Sequence, residues 1–174
     1  MLKYPHTEKD FDGITKIGAY AFYNNDKLLS ATIPETIANI GSFAFAECKN
    51  LVNINMSRCK SSGERVLYHC AALSGELSLV GLSVINANFC NGCVSLEKVV
   101  FGKRLSQLKT YAFGSCKGMK EYDFTACESV PTLAATNVFN NIPADCIMKI
   151  PSALFDEWKT ATNWSAFVAH MVAV

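Results

Sequence analysis

A block of about 23 residues recurs along this chain. The first copy contains Ile14, Ile17-Gly18, Ala21-Phe22, Asn25, Leu28, Ala31 and Ile33-Pro34. Shifted by one period, the same pattern returns as Ile37, Ile40-Gly41, Ala44-Phe45, Cys48, Leu51, Ile54 and Met56. A unit this short cannot bury its own apolar face, so it is stable only when neighbouring units stack on it. The period therefore predicts a solenoid.

One position marks the period most clearly, because it precedes a Leu or Met by three residues. It is occupied in turn by Asn25, Cys48, Cys70, Cys93 and Cys116. An alternating apolar run such as Leu96-Val99-Phe101 follows each marker, and alternation of period two indicates a strand with one buried face. Ala44, Phe45 and the marker Cys48 lie at offsets of one and four residues, which suits a single helical turn that packs inward.

Each unit is therefore predicted to contribute one strand and one short helical or irregular crossover. Crossovers of one hand give an α/β repeat solenoid, right-handed, with a parallel β-sheet on its concave face and the crossovers on its convex side. Two irregularities are expected. The polar stretch 57–63 lacks the Ile-x-x-Ile-Gly pattern and is interpreted as a convex loop, and one extra residue between Phe89 and Cys93 predicts a local bulge.

The carboxyl end departs from the repeat. Residues 147–150 are predicted to form the final strand, which ends at Pro151, with Ser152 as the N-cap of a helix that has Asp156 and Glu157 near its start. Two apolar stripes, separated by a break near Asn163, are formed by Leu154, Phe155, Trp158 and Ala161, and by Trp164, Phe167, Val168 and Met171. We expect one domain, 1–174, with repeats over 14–146 and a helical cap over 147–174.

Length and composition exclude several partners. The chain has 174 residues, of which 50% are hydrophobic and 18% charged, and its net charge is +1. This charge gives no electrostatic reason to expect nucleic acid or an anionic membrane as a partner. The longest uncharged stretch, 77–96, is too polar to span a bilayer, so direct membrane insertion is not expected. The segment Met1–Gly13 has no apolar core of a signal peptide, which predicts a chain without a leader or a fragment of a longer array.

The eight cysteines raise the question of a metal or redox site. Cys90 and Cys93 form a C-x-x-C pair, but a zinc site needs about four ligands, commonly two such pairs. The other register positions indicate small buried residues, so reduced core thiols are expected, although stacked cysteines come within disulfide range. No nucleophile motif accompanies the histidines, His6, His69 and His170. Neither a cofactor nor a metal is expected, and an enzyme using Cys90 and Cys93 is the least favoured hypothesis.

The informative polar residues alternate with the core along the strands. Register places side by side one column that contains Glu76, Lys98 and Glu121, and a second that ends with Val100, Asp123 and Lys149. Opposite charges next to one another across strands stabilise a sheet, so one interpretation is a solvated face with paired charges. The other interpretation is a recognition surface. Its predicted partner-binding residues are Asn53, Asn55, Glu76, Lys98, Glu121, Asp123 and Lys149.

The repeat resembles the BspA-like leucine-rich repeat family, whose pattern is I-x-x-I-G-x-x-A-F-x-x-C-x-x-L-x-x-I-x-I-P. The second unit, from Ile37 to Ile54, matches it position by position, and Tyr111-Ala112-Phe113 with Cys116 is a further match. The resemblance implies a secreted or surface-attached protein, found outside the cell or at the cell surface and adhering to host proteins or other cells. We therefore expect a non-enzymatic protein-binding module that acts in cell adhesion. The alternative is a structural spacer or stalk segment of a longer surface repeat array.

Overall fold

The computed structural model describes residues 13–174. Its strands are β1 (Lys16–Ile17), β2 (Ser30–Thr32), β3 (Asn39–Ile40), β4 (Asn53–Asn55), β5 (Ser61–Ser62), β6 (Gly75–Leu79), β7 (Val84–Ile85), β8 (Leu96–Phe101), β9 (Gln107–Leu108), β10 (Glu121–Asp123), β11 (Thr132–Leu133), β12 (Ile147–Ile150) and β13 (Met171–Ala173). One α-helix, α1, spans Phe155–Thr160, and 3-10 helices span Thr136–Phe139, Ser152–Leu154 and Trp164–His170. Every strand pair is parallel, which confirms the predicted α/β repeat solenoid.

The strands form two columns along the molecule. The larger column consists of the pair β2-β4 and the five-stranded sheet β6-β8-β10-β12-β13. The smaller column consists of two three-stranded sheets, β1-β3-β5 and β7-β9-β11. The prediction of one strand per unit was therefore incomplete, because each repeat also contributes a two-residue strand on the opposite side of the core.

A glycine follows each of the first three smaller strands, and two of these glycines lie close against the backbone of the preceding unit. A Cβ added at Gly41 would lie 2.4 Å from the backbone nitrogen of Ala19, and one at Gly63 would lie 2.3 Å from that of Ser42. These distances are shorter than real Cβ contacts, so a side chain at either position would force the units apart. In the Ile-Gly motif, the isoleucine is the inward residue of the smaller strand. The glycine allows the backbone of the neighbouring unit to come close.

The segments between the two columns are turns, not single helical turns, and some of their residues have a left-handed backbone conformation. Phe43 and Glu47 have φ angles of 58° and 61°, which are outside helical geometry. The turns are tied to the next unit by backbone hydrogen bonds, such as Phe45 N–H to Val66 O at 3.0 Å. The predicted inward packing is confirmed, since Ala44, Phe45 and Cys48 are buried. The prediction of a helical conformation was wrong, because inward residues at offsets of one and four also fit two successive turns.

The third unit is complete, and the predicted convex loop over 57–63 was wrong. β5 pairs with β3 and places Ser62 opposite Ile40. The motif escapes detection because Ser62 replaces the usual isoleucine. Both columns are nevertheless interrupted next to this unit. There, Asn86 Nδ2 donates a hydrogen bond to Ser62 O at 2.7 Å, and Ser74 N–H donates one to Val52 O at 3.1 Å.

The fourth unit contains no extra residue, so the bulge predicted between Phe89 and Cys93 was also wrong. Cys90 N–H donates to Ala112 O at 2.7 Å, as Phe45 N–H does to Val66 O, so Cys90 occupies the phenylalanine position of the repeat. The irregularity in the larger column lies instead between Gly75 and Glu76, where the register of β6 on β8 shifts.

The carboxyl end adds a strand that the sequence pattern did not reveal. β13 follows β12 and pairs with it, so β12 is not the final strand. Ser152 is not an N-cap, because its hydroxyl donates to Val174 O at 2.8 Å. The break at Asn163 is confirmed, since this residue has a φ of 66° between α1 and the following 3-10 helix.

Aromatic residues fill the interior beneath the carboxyl-terminal helices. The Trp158 and Trp164 rings lie 5.3 and 5.4 Å from the Phe124 ring, and the Phe167 ring lies 5.3 Å from that of Phe139. Both tryptophans are completely buried. None of the helices within residues 13–174 is long and apolar enough to cross a membrane.

Candidate recognition surface

The outer face of the larger column carries the polar residues that alternate with the core. Its register pairs Glu76 with Lys98 and Lys98 with Glu121 in one column, and Val100 with Asp123 and Asp123 with Lys149 in the other. Both predicted columns are confirmed. We call the five charged residues that occupy these two columns on β6, β8, β10 and β12 the charged face: Glu76, Lys98, Glu121, Asp123 and Lys149.

Lys98 is the centre of the charged face. Its Nζ lies 3.1 Å from Glu121 Oε1, 3.4 Å from Glu76 Oε2 and 3.7 Å from Asp123 Oδ2. Two of these partners are its neighbours across the strands, while Asp123 belongs to the other column. One ammonium group is therefore shared by three carboxylates from β6 and β10, the two strands that flank β8.

Glu121 connects Lys98 to the second lysine of the charged face. Its Oε2 lies 2.8 Å from Lys149 Nζ, although the residue opposite Glu121 in the register is Ile147. The contact is diagonal, because Lys149 lies two residues farther along β12. Column counting alone does not predict this contact, since long side chains also reach the diagonal neighbour.

The ion pairs shift the protonation equilibria of the charged face. Burial acts to raise the pKa of Glu121, but hydrogen bonds from Lys149 and Lys98 outweigh it and lower that pKa below its usual value. Burial also opposes the shift at Asp123, whose pKa is lowered by hydrogen bonds from the Thr125 hydroxyl and backbone N–H. Hydrogen bonding with Glu121 is the main cause of a raised pKa at Lys98. All three groups are therefore charged at neutral pH.

The first two strands of the larger column carry no charge on this face. Their outward residues are Ser30, Thr32, Asn53 and Asn55. Asn55 Oδ1 accepts hydrogen bonds from the backbone N–H and the hydroxyl of Ser57, at 3.1 and 2.8 Å. The predicted binding residues Asn53 and Asn55 thus lie on the same face as the charged residues, but on a neutral strand pair.

The cysteines form a structural column inside the turns. Each marker thiol donates a hydrogen bond to a backbone carbonyl of the preceding unit: Cys48 to Phe22 O at 3.0 Å, Cys70 to Phe45 O at 3.1 Å, Cys93 to Leu67 O at 3.1 Å and Cys116 to Cys90 O at 3.2 Å. This repeated contact explains why a small apolar residue with one donor recurs at the marker. We call these four residues the thiol column.

All eight cysteines are free and buried. Burial raises the pKa of Cys59 to about 11 and those of Cys127 and Cys146 to about 12. Cys90 and Cys93 have sulfur atoms 3.4 Å apart, and burial raises both of their pKa values too. Because the thiolate is the reactive form of cysteine, these environments disfavour nucleophilic chemistry.

Of the two histidines within the described residues, one lies on the turn surface and the other at the carboxyl end. His69 Nδ1 lies 3.0 Å from Glu47 Oε1 on the turn surface, and His170 Nδ1 lies 2.8 Å from Cys146 O. His6 and the segment 1–12 lie outside the described residues. Among residues 13–174, no group of three or more His, Cys, Asp or Glu side chains is placed to hold a metal ion.

The sequence analysis missed a group of aromatic side chains on the turn surface. Tyr20 and Tyr23 of the first unit are 55% and 48% exposed, and the Tyr20 ring stacks on the Phe43 ring of the second unit at 4.8 Å. Their signal was present, because Tyr20 and Phe43 are one period apart. Alternation along the strands does not reveal it, because both residues lie in the turns and not in a strand.

Comparison with known proteins agrees with this architecture. Six copies of the BspA type leucine rich repeat region match residues 9–120. The structure is similar to that of a leucine-rich repeat protein from Bacteroides ovatus, with a TM-score of 0.67 and 24% identity over 80% of this chain and 36% of that one. It also resembles a leucine rich cell surface protein from Faecalibacterium prausnitzii, with a TM-score of 0.54 and 21% identity over 78% of this chain and 42% of that one.

At these identities the two structures establish a likeness of fold alone. The chain spans less than half the length of either protein. There is no significant match among curated proteins.

Proposed function

Because the chain belongs to the BspA-type leucine-rich repeat family, we propose that it is a non-enzymatic protein-recognition module that binds a protein ligand through the charged face. Leucine-rich repeats of this kind serve as protein-interaction modules. We further propose that the ligand is a host extracellular-matrix or cell-surface protein and that the module acts in adhesion outside the cell. In support, one protein of similar fold is described as a cell surface protein.

The observation that carries this proposal is the shared ion-pair network of the charged face. Its five side chains project from four adjacent parallel strands, so the backbone fixes their relative positions. Charged groups on a rigid surface determine which partner is accepted and accelerate its approach. Asn53 and Asn55 extend the proposed contact onto the neutral strand pair.

The network leaves charge available to a partner. Three carboxylates face two lysines, so one negative charge of the face has no counterpart within it. The outermost member, Glu76, is 53% exposed, and Lys98 is 33% exposed. A purely structural network would gain little from such exposed pairs, because surface ion pairs contribute only about 0–1 kcal/mol each. A partner that excludes water would strengthen the same contacts.

We also propose the organisation of the chain as one domain, with repeats over 14–146 and a carboxyl-terminal cap over 147–174. The support is the packing of Trp158 and Trp164 on Phe124 of the fifth unit. These rings cover an apolar surface at the end of the repeats that would otherwise meet water.

The test is a binding measurement by surface plasmon resonance against a panel of immobilised extracellular-matrix and cell-surface proteins. The wild-type chain is compared with the triple variant Lys98→Glu/Glu121→Lys/Asp123→Lys. The matched control is Lys103→Glu/Glu128→Lys, which reverses an exposed ion pair of 3.5 Å outside the charged face. Circular dichroism establishes that both variants fold.

We expect at least one panel protein to bind, with binding lost in the triple variant and kept in the control. Binding that both variants keep would contradict the charged face as the site. A panel without any binding, together with self-association through the first repeat, would favour the alternative function of a spacer or stalk in a longer array.

A further inference from the structure

We propose that the aromatic group on the turn surface of the first two units is a second binding site, and that it takes a neutral pyranose of a glycan chain. The site consists of Tyr20 and Tyr23, supported by Phe43, and of the amide of Asn24, which is exposed in the same turn. It lies on the turns and not on the charged face, so it is independent of the function proposed above.

The site is built on a three-layer stack. Arg65 covers one side of Phe43, with its Cζ 5.3 Å from the ring centroid. Tyr20 covers the other side, with the two rings 4.8 Å apart and inclined by only 8°. Tyr20 is therefore held in place from behind by two layers. A flat ring that is already immobilised loses little conformational entropy when a ligand packs on it.

Within residues 13–174, the second face of the Tyr20 ring is not covered by another ring. Tyr23 lies 5.6 Å from the Tyr20 ring and 6.5 Å from the Phe43 ring, in edge-to-face orientations of 73° and 72°. These two distances are similar, so Tyr23 stands beside the stack and not on its end. Among the described residues no ring covers the outer face of Tyr20, whose side chain is 55% exposed. We call the two nearly perpendicular rings of Tyr20 and Tyr23 the aromatic corner.

The backbone conformation of Tyr20 belongs to the turn, since the equivalent residues Phe43, Arg65, Asn88 and Tyr111 also have φ angles of 54–58°. The Tyr20 φ of 59° is left-handed, a region that Asn and Gly enter more easily than bulky residues. The equivalent residue of the fourth unit is Asn88, with a φ of 54°. The equivalence follows from the hydrogen bonds, since Tyr20 N–H and Asn88 N–H each donate to the next unit, to Ser42 O and Thr110 O at 3.0 Å. The turn therefore does not require an aromatic residue at this position, because Arg65 and Asn88 adopt the same conformation.

The chemistry of the corner fits a sugar. The apolar C–H face of a pyranose packs on a tyrosine ring, and its rim of hydroxyls needs hydrogen-bond partners. Asn24, which follows Tyr23 in the same turn and is exposed, supplies a carboxamide. The one charge of the stack, Arg65, lies behind Phe43, on the side away from Tyr20. A neutral ligand therefore fits better than an anionic one.

The test is affinity electrophoresis of the full chain in gels that contain one neutral polysaccharide each: an α-glucan, a β-glucan, a mannan or a galactan. Positive gels are followed by saturation-transfer NMR with the matching oligosaccharide. Tyr20→Asn removes the open ring and installs the residue that the fourth unit uses at this position. The matched control is Tyr111→Asn, which makes the same change at another left-handed position, with a φ of 55°. Circular dichroism and urea denaturation establish that both variants fold.

We expect retardation by at least one polysaccharide, a more than tenfold weaker affinity in Tyr20→Asn and an unchanged affinity in Tyr111→Asn. Tyr23→Ala, which keeps the stack, should weaken binding partially. The proposal is overturned if no polysaccharide retards the chain, or if Tyr20→Asn and Tyr111→Asn bind equally. Tyr20-dependent binding of decaproline without any glycan binding would also overturn it, in favour of a peptide site.

The triple variant of the charged face serves as a further control, because we expect it to bind the polysaccharide like the wild type. Loss of glycan binding in this variant would overturn the assignment to the aromatic corner.

Discussion

The two faces of the larger column differ in composition and burial although the same strands form both. In β8, Val99 and Phe101 point inward and are completely buried, while Lys98 and Val100 point outward. The inward neighbours along the column are apolar in each unit: Ile54, Leu77, Val99, Tyr122, Met148 and Met171. The outward neighbours change from amide to carboxylate to ammonium. The inner face therefore specifies the fold, and the outer face varies from unit to unit without disturbing the core.

The largest effect should come from an inward residue of β8. Phe101→Ala removes a ring that contacts those of Phe113, Tyr122 and Phe124 at 5.7, 6.5 and 4.5 Å. We expect the free energy of unfolding to fall by about 3–5 kcal/mol, because the cavity is lined by large side chains. Urea denaturation followed by circular dichroism measures the change. The control is the outward neighbour Val100→Ala, for which we expect less than about 1 kcal/mol. Equal losses in both variants would refute the distinction between the faces.

A smaller loss should follow when one member of the thiol column is removed. Cys93→Ala deletes the sulfur that donates to Leu67 O at 3.1 Å, and we expect a loss of about 1–2 kcal/mol in unfolding free energy. Ser95→Ala, an exposed change after the same turn, should alter stability by less than about 0.5 kcal/mol. Thiol titration extends the test. None of the eight cysteines should react with a disulfide reagent at pH 8 before denaturation, and rapid reaction of Cys93 in the folded chain would show that the column is open.

Acid should destabilise the outer face, and the sign follows from the lowered pKa values of Glu121 and Asp123. A carboxylate with a lowered pKa in the folded state adds stability above its unfolded pKa of roughly 4, and this contribution disappears as the pH falls through the folded pKa. The double variant Lys98→Met/Lys149→Met removes the groups that lower the pKa of Glu121 and the smaller charge effect on Asp123, whose hydrogen bonds from Thr125 remain. We expect the decrease in Tm between pH 7 and pH 3 to be about 2–4 °C smaller in this variant, as measured by thermal denaturation. An unchanged decrease would mean that the ion pairs do not contribute in solution.

The smallest effect should be a gain in stability at an outward position on the turns. Tyr111 is 40% exposed and has a φ of 55°. Tyr111→Asn replaces a bulky left-handed residue with one that prefers this conformation, so we expect a gain of about 0.5 kcal/mol in unfolding free energy. Urea denaturation detects a gain of this size. A loss of more than 1 kcal/mol would place the Tyr111 ring among the residues that specify the fold.

The same division explains how much the sequence could predict. Inward positions repeat, so the solenoid, the parallel sheet and the register of Glu76, Lys98 and Glu121 could be derived by counting. The smaller strands were missed because two residues are too few to show alternation. The third unit was misjudged because Ser62 occupies an isoleucine position, and β13 was missed because it follows a 3-10 helix outside the repeat.

The candidate site was only half predictable for a related reason. Counting placed the charged residues in columns, but the contact between Glu121 and Lys149 depends on side-chain length and direction. The aromatic corner depends on turns in which left-handed residues project outward, and neither propensity nor period-two alternation describes these turns.

The sharing of Lys98 among three carboxylates has a consequence for any encounter with a partner. A positively charged group that approaches Glu76 displaces an ammonium that still has Glu121 and Asp123 within 4 Å. Lys98 keeps two carboxylate partners when a ligand replaces it at Glu76. The exchange therefore leaves no unpaired ammonium group. The charged face can therefore exchange its ion pairs one at a time. Each incoming charged group replaces a side chain of its own charge sign, as a dissolved ion replaces a bound counterion in ion exchange.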